Sequence, residues 1–109
     1  MTYRIPHQPD ELVLYSVWDV STVHIAESDA KLLGGGHPLV VTYEYPEGWW
    51  LHVDSDLGDD QDKVMKELLE AGFSPAFTHL LSVARRHNVD WIRLDGDGEI
   101  YEYLSQHHW

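Results

Sequence analysis

The segment Leu39 to Val53, LVVTYEYPEGWWLHV, constrains the fold more than any other stretch. Two runs of branched and aromatic residues flank Pro-Glu-Gly, and such runs around a turn signal fold back as a hairpin. With Pro46, Glu47 and Gly48 as the loop, Tyr45 faces Trp49, Tyr43 faces Leu51 and Val41 faces Val53 on one side. Thr42, Glu44, Trp50 and His52 share the other. A loop shorter by one residue mixes the two sets, so consistency of the faces selects the longer loop. Trp50 is left on the more polar side, as a candidate anchor.

The rest of the chain is punctuated as plainly. Residues 1–10 read as an N-terminal tail and 11–109 as one domain. Alternation in ELVLYSVWDV predicts a strand with Val13, Tyr15 and Val17 on one face. STVHIAESDAKLLGGG predicts a short helix, capped by Ser21 or Thr22 and ended by Gly34 to Gly36. In DDQDKVMKELLEAGF, Val64, Met65, Leu68 and Leu69 recur at helical spacing, Gly72 supplies the stop, and Phe73 folds back on Leu68. Ser74 as N-cap and Pro75 at the first position open another helix. Its buried stripe is Phe77, Leu80, Leu81 and Ala84, and Arg85, Arg86 and His87 suit the negative end of its dipole. DWIRLDGDGEIYEYL predicts a second hairpin that turns at Asp97-Gly98. That turn pairs Leu94 with Tyr101, Ile92 with Tyr103 and Arg93 with Glu102. The order is β-α-β-β-α-α-β-β. Two hairpins and an N-terminal strand make an α+β domain with a mainly antiparallel sheet and its helices on one face.

Composition narrows the function. Of 109 residues, 43% are hydrophobic and 12% aromatic, enough for a core without metals or bridges. The absence of cysteine excludes disulfides, thiolate zinc sites and cysteine nucleophiles, and fits a cytoplasmic protein. No apolar run approaches the ~20 residues that span a bilayer, and MTYRIPHQPDE lacks the pattern of a leader. Nineteen acidic against seven basic residues give a net charge of −12. Such a surface repels nucleic acid and anionic lipid and attracts basic proteins.

The charge peaks in DSDLGDDQD, residues 54–62, inside a stretch from Leu32 to Asp62 without lysine or arginine. A helix-loop-helix calcium site counted from Asp54 fails, because Gly58, Asp59 and Met65 fall on defining positions. Asp59, Asp60 and Asp62 suit the first turn of the following helix, whereas Asp54 and Asp56 have no such explanation. Asp95 and Asp97, in DGDG, could join Asp54 and Asp56 around a metal; the plainer reading is a hairpin turn. The eight histidines contain no pair at ligand spacing, so no cofactor or metal is expected. Ser21, Thr22 and His24 come nearest to a nucleophile with a base, without any nucleophile-elbow sequence.

STVHI, YEYPEGWWLHV and DWIRLDGDGEI, in this order, resemble a family of short bacterial proteins of unknown function carried on plasmids and phages. The resemblance runs from Ser16 to Trp109, the closing tryptophan included. Ala26 departs from it, where the family has a helix-capping threonine, as do the widened PEG turn and the HHW end. It implies no particular activity. It does imply a mobile-element setting, where small acidic proteins block host defences. The expected function is therefore a non-enzymatic binding protein. Its phosphate-mimicking face, Glu44, Glu47, Trp50, Asp54, Asp56, Asp59 and Asp60, would engage a basic, nucleic-acid-handling partner. The alternatives are a metal-dependent hydrolase built on Asp54, Asp56, Asp95 and Asp97, and a homodimer joined through an aromatic face.

Overall fold

The computed structural model describes residues 12–53 and 61–109. β1 (Val17–Ser21) runs through a 3₁₀ turn, Thr22–His24, into α1 (Glu27–Gly34). β2 (Thr42–Tyr45) and β3 (Gly48–His52) form the hairpin, followed by α2 (Gln61–Glu70), α3 (Pro75–Arg86) and β4 (Trp91–Asp95). The sheet order is β1-β4-β3-β2, with β4 parallel to β1 and antiparallel to β3. The expected class holds: one α+β domain with a mostly antiparallel sheet. Alternation places Val20, Leu51, Ile92 and Leu94 on the helix side, fully buried with Ile25, Leu33, Leu68, Phe77, Leu80 and Ala84. Each large apolar side chain buried there contributes about 1.5–3 kcal/mol, so this layer is the main source of stability.

The helix signals read as expected. Ser74 Oγ accepts the Phe77 N–H at 3.2 Å, with Pro75 at the first helical position. Gly72, at φ 106°, ends α2, and the Phe73 N–H donates back to the Leu68 carbonyl at 3.0 Å. The Phe73 ring itself stacks on Phe77, 4.5 Å between centroids. The cap of α1 differs. Ser21 Oγ caps the 3₁₀ turn through the Val23 N–H, whereas α1 is held from within by Asp29. That fully buried carboxylate accepts the Ala26 N–H at 2.8 Å, the Ser74 N–H at 2.8 Å and the Ser74 hydroxyl at 2.6 Å. One side chain thereby starts α1 and ties it to the start of α3.

Three expectations on the strands are corrected. First, the β2–β3 loop is shorter by one residue. Tyr45 pairs with Gly48, Tyr43 with Trp50, Glu44 with Trp49 and Thr42 with Leu51. Gly48 is consumed as a strand residue because its backbone lies against Leu94, where a Cβ would sit 1.8 Å from the carbonyl oxygen. Second, no strand follows β4, since β1 and β3 occupy both its edges. The chain beyond Asp97 instead crosses back over β1. Ser21 N–H donates to the Glu99 carbonyl at 2.8 Å and Tyr101 Oη–H to the Asp19 carbonyl at 2.8 Å. Third, β1 begins only at Val17, and Val13 and Tyr15 are exposed outside it. Its register on β4 is pinned at Ser16, whose N–H donates to Asp90 Oδ2 at 2.8 Å while Asp90 N–H donates to Ser16 Oγ at 3.0 Å.

Candidate functional site

With the helices on one side, the other side of the sheet is built from the alternate residues of each strand. Tyr43 and Tyr45 come from β2, Trp50 and His52 from β3, Trp91, Arg93 and Asp95 from β4, and Asp19 from β1. Trp91 is the hub. Its ring centroid lies 5.9 Å from Tyr43, 6.5 Å from Trp50 and 5.0 Å from His52, the last two edge to face. Tyr43 is exposed, and Trp50 and Trp91 are half-buried, so a band of aromatic surface faces solvent.

Beside this band the polar groups are already committed. Arg93 donates from Nε at 3.0 Å and from Nη2 at 2.8 Å to Asp19 Oδ1, and this bond and charge raise its pKa. The expected partner Glu102 is not used. An exposed pair of this kind contributes little stability, but it neutralises the sole cation contributed by these alternate strand positions. The buried Asp95 accepts the Tyr45 hydroxyl at 2.6 Å on Oδ2 and the Asp97 N–H at 2.7 Å on Oδ1. The Tyr45 bond, then the Asp97 N–H, hold its carboxyl below its usual range. Burial first, then the bond to Asp95, push the Tyr45 hydroxyl up to about 12.

A pH dependence follows with a definite sign. Folding favours neutral Tyr45, so its contribution is intact below the ordinary value of 10.0 and is lost as pH rises toward about 12. Folding favours ionised Asp95, so its contribution is intact above the usual carboxylate range and is lost as pH falls through it. Tyr45→Phe should remove part of the late-ionising tyrosine absorbance and flatten stability at alkaline pH. An alkaline unfolding limb identical to that of the wild type counts against the bond.

The residues singled out in the sequence are scattered. Trp50 is on the open face, but Glu44 is on the opposite one, since the shorter loop slips every β2 side chain across the sheet. Glu47 is exposed in the turn, where its carbonyl accepts the Gly96 N–H at 2.9 Å. Asp54, Asp56, Asp59 and Asp60 lie outside the described residues. Asp95 has both carboxylate oxygens bonded and Asp97 is exposed, and no group of three metal-binding side chains occurs among the described residues. DGDG is a packed turn, for a Cβ on Gly98 would meet the Val20 carbonyl at 2.6 Å. Nor can His24 serve Ser21 as a base. It is buried, with Nδ1 2.8 Å from the Ser105 carbonyl and Nε2 accepting the Tyr101 N–H at 2.9 Å.

Sequence reasoning missed Trp91 and Tyr43 as members of the band. The signal existed: in WIRLD, Trp91 and Arg93 alternate with the core residues Ile92 and Leu94. No helix among the described residues is long and apolar enough to cross a membrane.

Fold and face together define a small α+β domain whose half-covered sheet leaves an aromatic band open. The chain belongs to the family of unknown function (DUF5983) C-terminal domain, which matches residues 17–109, from the first residue of β1 onward. Neither a curated protein nor a solved structure matches it.

Proposed function

We propose that this protein is a non-enzymatic binding domain whose open sheet face docks on the basic surface of a nucleic-acid-handling protein, with carboxylates standing where phosphates would. The observation that carries the reading is the ring cluster of Tyr43, Trp50, Trp91 and His52 on the sheet face away from the described helices. Contiguous exposed apolar surface marks interaction sites, and tryptophan and tyrosine dominate the energetics of such contacts. The net charge of −12 chooses the partner, favouring a basic protein over nucleic acid itself. Five of the acidic residues behind that charge follow Val53 in the sequence, at Asp54, Asp56, Asp59, Asp60 and Asp62. Nothing comparable supports the hydrolase, whose Asp95 is spent on Tyr45 and the turn.

Affinity capture from bacterial lysate over a salt series tests this. Capture should weaken steeply with salt, be displaced by duplex DNA, and fall about tenfold or more in Trp50→Ala, the loss expected of a central aromatic anchor. Capture that ignores salt, DNA and the Trp50 substitution alike rejects the reading.

A further inference from the structure

At one end of the sheet a groove of about 350 Å³ opens between the β2–β3 turn, the start of the 3₁₀ turn and the end of the chain. Its lining includes Thr22, Glu44, Tyr45, Glu47, Trp49 and Trp109. The last tryptophan is not loosely placed. Trp109 Nε1–H donates to the Ile25 carbonyl at 3.0 Å, and His107 N–H donates to the Val23 carbonyl at 2.6 Å, so the indole is anchored while 54% of the residue stays exposed. Two tryptophans and two exposed glutamates thus line one concavity, whose described lining holds no lysine or arginine.

We propose that this groove is a receptor for a cationic side chain, arginine or lysine, presented by a peptide segment of a protein partner. The inference rests on the basic-partner reading above and names where one basic residue is received. Aromatic faces, tryptophan above all, attract cations through their quadrupole, and arginine adds planar stacking on the ring. The carboxylates of Glu44 and Glu47 set the sign of the field, excluding anions and favouring a guanidinium or ammonium group. A peptide suits the site better than a free cation. A cation carried on a side chain can lay its apolar stem along the indoles while its head meets the carboxylates, which a bare cation cannot do. Glu44 has a use here that the open face does not give it.

The probe is N-acetyl-arginine amide, titrated into isotope-labelled protein while the indole N–H resonances are followed, with the neutral citrulline analogue as control. The Trp49 and Trp109 signals should shift saturably with the arginine compound and not with citrulline. Trp109→Ala and the pair Glu44→Gln with Glu47→Gln should each weaken binding by about fivefold or more. The glutamine pair keeps the test decisive if Trp109→Ala disturbs folding. Equal shifts with citrulline, or full affinity in the glutamine pair, overturn the proposal. A groove that passes while salt-sensitive capture fails removes the broader reading alone. A silent groove beside intact capture removes this one alone.

Discussion

Gly48→Ala is expected to be the most destabilising of the substitutions considered, at more than about 4 kcal/mol. The new methyl would lie 1.8 Å from the Leu94 carbonyl oxygen and 2.8 Å from its carbon, and both belong to the backbone of a central strand. No rotamer change relieves such a clash. Either β3 moves away from β4, losing the register that places Leu51 on Ile92 and Trp49 on Leu94, or the turn that sets β2 on β3 is remade. Overpacking a core costs about 1–3 kcal/mol even where side chains can shift. A backbone collision between central strands should exceed about 4 kcal/mol, a large part of the 5–15 kcal/mol that holds a typical domain together. Gly34→Ala, at the end of α1 with nothing within 4 Å of the added methyl, is the control and should be neutral or slightly stabilising. Urea unfolding of the two variants decides the matter. A Gly48→Ala midpoint near that of the wild type would mean that β3 and β4 do not approach as closely as described.

Asp29→Ala should cost about 3 kcal/mol or more, the second largest effect expected of a single substitution. Its carboxylate accepts three hydrogen bonds in a fully buried position, from the Ala26 N–H, the Ser74 N–H and the Ser74 hydroxyl. Truncation leaves all three donors without a partner, and each buried unpaired donor costs about 1–3 kcal/mol. Asn should fall between, because its amide oxygen can still accept while its NH₂ confronts other donors. Ser74→Ala removes the N-cap of α3 as well as one bond to Asp29, at about 1–2 kcal/mol. Since the two residues share a network, the double variant should be less damaged than the sum of the singles. Losses that add within about 0.5 kcal/mol would show that α1 and α3 are not coupled through this carboxylate.

What the sequence revealed depended on how local the cause was. Ser74-Pro75, Gly72 and the Phe77 to Ala84 stripe act within a turn or two of themselves, and all were legible. The loop at Pro46 was misread because the deciding contact, Gly48 on Leu94, comes from a strand far along the chain. Nothing near residue 48 announces it. That one-residue slip carried Glu44 to the wrong face and took Tyr43 out of the aromatic band. Asp97-Gly98 has the composition of a hairpin turn, but the hairpin had no edge left to join once β1 paired with β4. Asp29 offered no sign of its role either, since its partner Ser74 lies 45 positions away.

The pairing of β1 with β4 also has a consequence for how the protein is made. Asp19 and Arg93 are neighbours in the sheet yet 74 positions apart in the chain. During synthesis the first strand emerges early and waits, while its hydrogen-bonding edge has nothing to receive it until Trp91 to Asp95 appear. The β2–β3 hairpin and the α2–α3 pair can form as they leave the ribosome, but the sheet closes only once Trp91 to Asp95 are out. Glu99 to Trp109 then fasten over β1 and the 3₁₀ turn that follows it. A chain cut short before β4 would therefore expose both Val20 and an unpaired strand edge, a sticky combination that cellular proteases and chaperones are built to detect.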